Sequence, residues 1–164
     1  MDSESDFAIL ETIWQDVTAQ FLRNGHEEPA RAALVLDEAM HDSCRHFAGT
    51  TPDGKSVRVA PILIDMPADT VIAILAHEGG HVVDLSNPGR WWFRNGKLAL
   101  VEELPTRGLK KLLSAWRDRS DDELERVADA IAESVLGMRI GYVGTGSCLV
   151  EALGRGRPRP KGLR

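Results

Sequence analysis

The chain is poor in cysteine and in long apolar runs, and each shortage closes off a class of protein. Two cysteines, Cys44 and Cys148, do not make the framework of bridges that staples a small secreted domain. No apolar run approaches the roughly 18 residues that a membrane-spanning helix needs. Residues 1–6, MDSESD, are acidic where a secretory signal begins with basic charge. These absences point to a cytoplasmic protein with no membrane partner. No segment reads as an inhibitory pro-region, which suggests a narrow substrate range, and there is no internal repeat.

Positive charge is concentrated at one end. The net charge is −5, yet Arg155, Arg157, Arg159, Lys161 and Arg164 put +5 on the last ten residues, so residues 1–154 carry −10. An acidic body argues against nucleic acid as the main ligand. Residues 155–164, rich in Gly and Pro, read as a disordered basic tail that could touch an anionic partner. Residues 1–154 suit a single domain, long enough to bury a core without disulfides.

Apolar periodicity predicts helices mixed with strands. Leu10, Ile13, Trp14, Val17 and Phe21 recur at helical spacing over about residues 5–23, and Asn24-Gly25 stops them. A second helix is predicted over 29–44, with Pro29 in its first turn and Ala33, Leu36, Met40 and Cys44 on one side. Pro52-Asp53-Gly54 signals a hairpin turn before a Val- and Ile-rich strand over 57–64. Pro61 has no N–H for a ladder, so this strand is expected at a sheet edge or with a bulge. A helix over about 67–85 ends at Asn87-Pro88-Gly89. A segment around 98–104 is of undecided type, and helices follow over 109–116 and from 120 to about 136. The expected class is α+β, helices packed on a short, mostly antiparallel sheet.

Histidine is scarce, five residues in all, yet two of them bracket the run His77-Glu78-Gly79-Gly80-His81. Residues four apart on a helix share a face, so both imidazoles can reach one Zn²⁺ at about 2.0–2.1 Å. Glu78 is placed to be the general base that activates a metal-bound water. Winding 70–84 as a helix gathers Ile72, Leu75, Ala76, Val82 and Val83 on one side and sets His77 and His81 nearly opposite, as in a cleft-lining helix. Gly79 and Gly80 each cost roughly 0.8–1 kcal/mol against Ala inside a helix. They predict that another element approaches closely behind the metal. A surface helix with two solvated histidines is the competing reading, which the uncharged flanks Ala76 and Val82 disfavour.

A catalytic zinc takes three protein ligands and keeps one position open. Motifs that find the third ligand on the same helix need Gly at 84 and His or Asp at 87, and Asp84 and Asn87 stand there. The downstream candidates are Glu102, Glu103, Glu123, Glu125 and Glu133. Ser120 and Glu123 have the form of a capping box, and Asp121 and Asp122 suit the positive end of the helix, so Glu123 has a structural job. Leu124, Val127, Ala128, Ile131 and Val135 set the core face. Glu125 and Asp129, four apart, lie together beside it. That pattern suits Glu125 as ligand and Asp129 as the carboxylate that orients a ligand histidine, His77 first among them. Two solvated helix acids are the competing reading, and Glu102 or Glu103 come next as ligands.

IAILAHEGGHVVD at 72–84, taken with ERVADAIA at 125–132, resembles the ImmA/IrrE-type metallopeptidases and related minimal gluzincins. These pair a HExGH helix with a later E-x-x-A-[D/N]-x-x-A helix. The resemblance covers residues 72–136. It implies a zincin-like domain, Zn²⁺ on His77, His81 and Glu125, Glu78 as base and Asp129 in support. It further implies peptide-bond hydrolysis in a specific intracellular protein substrate. The topology of such enzymes also implies that the edge strand, expected over 57–64, takes up an extended peptide. Ser134-Val135-Leu136-Gly137 stands where that family carries Leu-Leu-Met-Pro, the gap from His81 to Glu125 is longer, and no helix-turn-helix module is evident. The alternative function is a catalytically silent zinc-binding regulatory or interaction module, with a phage or mobile-element origin.

Weaker signals remain. Tyr142, the single tyrosine, is a candidate to stabilise an oxyanion, against ordinary packing. His41, Cys44 and His46 offer three of the four ligands of a structural zinc. His26-Glu27-Glu28 reads as a solvated turn. Trp91-Trp92-Phe93 reads either as a wall or flap at the cleft or as core.

Overall fold

A computed structural model of the chain describes residues 3–42, 47–102, 106–137 and 139–140. The helical spacing of the first segment becomes helix α1 (Ser3–Arg23), whose Leu10, Trp14, Val17 and Phe21 are buried along one stripe. Gly25 takes a positive φ of 86°, which lets the chain turn sharply after α1. A helical turn, α2 (Glu28–Arg31), leads into strand β1 (Ala33–Leu36) and then a 3₁₀ turn over Glu38–Asp42. Strands β2 (Ala48–Thr50) and β3 (Ser56–Val59) form the expected hairpin around Pro52-Asp53-Gly54. A second 3₁₀ turn (Pro61–Asp65) delivers the chain to helix α3 (Ala68–Ser86).

The hairpin β4 (Trp91–Arg94) and β5 (Lys97–Leu100) follows. Its turn is Asn95-Gly96, both at positive φ, as a tight twisted hairpin requires. Helix α4 (Leu109–Arg117) precedes α5 (Asp121–Leu136). The capping box forms as the sequence suggests. Ser120 Oγ accepts from the Glu123 N–H, and the Glu123 carboxylate accepts from the Ser120 N–H. Gly137 closes α5 at a φ of 66°.

The class is α+β. A three-stranded sheet runs in the order β1-β3-β2, with β1 parallel and β2 antiparallel to β3. Val57 and Val59 point from β3 into a core shared with α1, α3 and α5. Helix α3 is the centre of that core, buried almost all round rather than along one stripe. A single apolar back with the histidines opposite was the sequence expectation. The other face is covered too, because α5 lies across it.

Three expectations need correction. The helix over 29–44 does not form: helical geometry lasts four residues and the chain becomes β1. There, Leu34 and Leu36 turn towards the core while Ala33 and Val35 face out, a period of two. What selects the strand is pairing with β3, Ala33 opposite Ser56 and Leu36 opposite Val59, which no local pattern reveals. The strand over 57–64 ends at Val59, and Pro61 opens the 3₁₀ turn instead. Since the proline lies outside the ladder, β3 is the central strand and the edges are β1 and β2. The turn at 26–28 is solvated only in part: Glu27 is exposed, but His26 packs edge-on against Phe21 and Trp91, and Glu28 accepts a 2.8 Å bond from Asn87 Nδ2. Trp91 and Phe93 pack against the core from β4.

Candidate metal centre

The centre lies where α3 crosses α5, and two glycines permit the crossing. A Cβ at Gly80 would overlap the backbone carbonyl of Ala128 on α5, and one at Gly79 would come within 2.8 Å of the Phe21 ring of α1. Their absent side chains let α3 sit deep between its neighbours, as their helix penalty foretold.

This close crossing places the acids of α5 against the histidines of α3. His77 Nδ1–H donates to Asp129 Oδ1 across 2.6 Å. An ionised carboxylate only accepts, so the Nδ1 proton is fixed and Nε2 is aimed the other way. On that side lies Glu125, with Oε2 2.7 Å from His77 Nε2 and Oε1 3.3 Å from His81 Nε2. The two imidazole Nε2 atoms are 3.1 Å apart. The geometry brings His77, His81, Glu125 and Asp129 into one cluster.

The first three residues can hold a metal ion, since their donor atoms all lie within 4.8 Å of one another. Bonds of about 2.0–2.1 Å at tetrahedral angles would separate such donors by roughly 3.3 Å. The distances of 3.1 and 3.3 Å match that spacing, and 2.7 Å needs a slight opening. Exposure rises across the cluster, from 2% for the His77 side chain to 12% for His81 and 40% for Glu125, so it opens to solvent on the Glu125 side. Asp129 Oδ2 is buried and without a hydrogen-bond partner among the described residues. A buried carboxylate left half satisfied calls for further positive charge nearby.

The protein's own charges hold a proton where that positive charge belongs. Burial pulls the His77 pKa down, but hydrogen bonds to Asp129 and Glu125 and the charges of Asp129 and Glu78 outweigh it and raise it to about 10. Burial pushes Glu125 up, and the two histidines more than reverse this, holding it well below the usual carboxylate range. A site that retains a proton this firmly offers the same attraction to a cation.

Glu78 projects beside the cluster, 5% exposed. Its Oε2 accepts a 2.8 Å bond from Thr50 Oγ1, and its backbone carbonyl lies 3.2 Å from the same hydroxyl. Thr50 belongs to the edge strand β2, so the sheet positions Glu78. Nothing local in the sequence marks Thr50, since the contact depends on β2 packing against α3.

Asp84 is the second residue that sequence reasoning missed. It is fully buried and accepts from Arg119 Nη2 at 2.6 Å, with Arg119 Nη1 and Trp116 Nε1 each at 3.3 Å. An acid in the last turn of a helix opposes the helix dipole, and that mismatch was the available signal of a cationic partner. The pair ties the end of α3 to the start of α5, the two elements that carry the metal donors.

Among the other candidates, Glu102 is exposed and outside the cluster, Glu123 caps α5, and Glu133 accepts from the Ile140 N–H. Tyr142, Cys44, His46, Glu103 and residues 155–164 lie outside the described residues, as does the side chain of His41. Among the described residues, no helix is long and apolar enough to cross a membrane. No family model, curated protein or solved structure matches the chain.

Proposed function

We propose that the protein is a zinc-dependent peptidase of zincin-like architecture acting on a protein or peptide substrate. The observation that carries this reading is a juxtaposition. A three-donor group of two imidazoles and a carboxylate lies beside a buried glutamate that an edge strand holds in place. Two nitrogens and one oxygen suit zinc among the common divalent ions.

His77, His81 and Glu125 would hold the zinc ion, which when bound would supply Lewis acidity towards water and a carbonyl oxygen. Glu78 takes the proton of the attacking water and returns it to the leaving amine. Thr50 occupies Glu78 Oε2, which leaves Oε1 for that transfer. Asp129 keeps the His77 ring oriented and its Nδ1 protonated. The outer edge of β2, which pairs with no further strand among the described residues, serves the substrate. Thr51 N–H bonds Ser56 O and Ala60 N–H bonds Phe47 O, so by antiparallel alternation the N–H and C=O of Ala48 and Thr50 face away from β3. An extended peptide pairing there passes Glu78. The edge strand in this role is β2, in place of the strand expected over 57–64.

The test is Glu78→Gln, which preserves size and the Thr50 contact. The variant is expected to bind zinc one to one, with an unchanged circular dichroism spectrum, and to lose hydrolysis of a defined peptide mixture followed by mass spectrometry. Cleavage at the original rate would reject the reading.

A further inference from the structure

A groove of about 510 Å³ runs along β2, the edge strand of the three-stranded sheet, and takes in Arg58 of β3. Its lining includes Asp37, Met40, Gly49, Pro52 and Arg58. Gly49 has no conformational reason to be glycine. Its φ is not in the left-handed region, and a Cβ there would meet nothing within 4 Å. A glycine inside a strand weakens it, so the bare backbone points to something outside the fold that approaches it.

Register shows what that is. Gly49 stands directly opposite Arg58, which stands opposite Val35, so the three form one row across the outer face. A peptide strand added to the outer edge of β2 extends the row by one residue. The side chain beside Gly49 projects onto the outer face, while its neighbours beside Ala48 and Thr50 project towards α3 and Glu78. With no side chain at 49, the projecting group can lie across the strand and reach Arg58.

Arg58 is placed to receive it. Its side chain is 58% exposed, and among the described residues its ion pair is a loose 3.5 Å contact with Asp37 Oδ2, while Asp37 Oδ1 accepts from the Ala39 N–H. A guanidinium carries five donors in a planar fork, and a carboxylate arriving end-on can take two of them at shorter range.

We infer that this groove is a specificity pocket that selects an aspartate or glutamate side chain of the substrate at a position next to the cleaved bond. It rests on the peptidase reading for the placement of the substrate, and its test reads binding rather than turnover. The zinc-loaded Glu78→Gln protein is equilibrated with a random peptide library and the bound peptides are sequenced. Acidic residues are expected to be enriched at a single position. In the same background, Arg58→Glu is expected to replace that enrichment with Lys and Arg, and Arg58→Gln to abolish it. Gly49→Val is expected to weaken peptides acidic at that position by about tenfold or more, while sparing those with glycine there. Absence of bound peptides, no acidic enrichment, or enrichment that survives both Arg58 variants would overturn the inference. Failure of the Glu78-containing protein to cut the peptides so selected would reject the peptidase reading and leave the pocket standing.

Discussion

Gly80 on α3 lies against the backbone carbonyl of Ala128 on α5, with no room for a methyl group between them. One turn before Gly80, His77 meets Asp129, the residue after Ala128, so this close backbone approach and the candidate metal centre belong to the same helix crossing. Separating the helices at Gly80 is therefore expected to disturb both stability and the geometry of the candidate metal centre.

Replacing Gly80 by alanine is expected to destabilise the protein. Alanine gains roughly 0.8–1 kcal/mol in a helix. Overpacking against rigid backbone costs about 1–3 kcal/mol or more. Gly79→Ala meets the outer edge of the Phe21 ring, a side chain that can shift, so it is expected to cost less. Urea midpoints of the two variants check this ordering, and equal midpoints would contradict it.

Asp129→Asn keeps the shape of the side chain and removes its charge. The Nδ1 proton of His77 then has a weaker acceptor, and zinc affinity is expected to fall by about 10–100-fold. Competition with a calibrated chelator measures it. The loss for Glu125→Ala, which removes a donor outright, is expected to be at least as large. Undiminished affinity there would move the third ligand away from α5.

The metal-free protein should show a distinctive pH profile. His77 has a folded pKa of about 10 against 6.5 unfolded, so its contribution is complete below pH 6.5 and is lost as pH rises towards 10. Glu125 is displaced in the opposite sense, so its contribution is present above about pH 4.5 and fades as pH falls below it. Melting temperatures in chelator are expected to be highest between these limits and to decline on the alkaline side. Zinc uptake at neutral pH should release the His77 proton, which calorimetry in buffers of different ionisation enthalpy detects as a buffer-dependent heat.

The Asp84–Arg119 pair is expected to behave as a buried charge pair. Asp84→Ala leaves the guanidinium buried without its counter-ion, at a cost of about 3–5 kcal/mol. A double replacement by leucine and methionine is expected to lose less than Asp84→Ala alone. Guanidinium denaturation of the single and double variants tests this. A larger loss in the double variant would mean that the pair contributes more than mutual neutralisation.

The spacing of His77, Glu78 and His81 on one helix is a local property, legible because helical periodicity is set by the backbone itself. The same holds for Glu125 and Asp129, four apart, and for the capping box that starts their helix. The two glycines announced a close neighbour through their helix penalty, without naming it as Ala128. Strand β1 was misread as helix because its apolar residues fit either period and only pairing with the distant Ser56–Val59 segment decides between them. The central place of β3 likewise depends on its partners.

Thus the sequence by itself determined the candidate ligand residue types, their helical spacing and the bounds of the two helices that carry them, since each depends on interactions within a few residues. The convergence of α3 on α5, the hydrogen bond from Thr50 to Glu78, the burial of Asp84 with Arg119 and the row from Gly49 to Arg58 were decided by the tertiary structure. Each joins segments far apart in the chain, and their meeting follows from how the whole core packs.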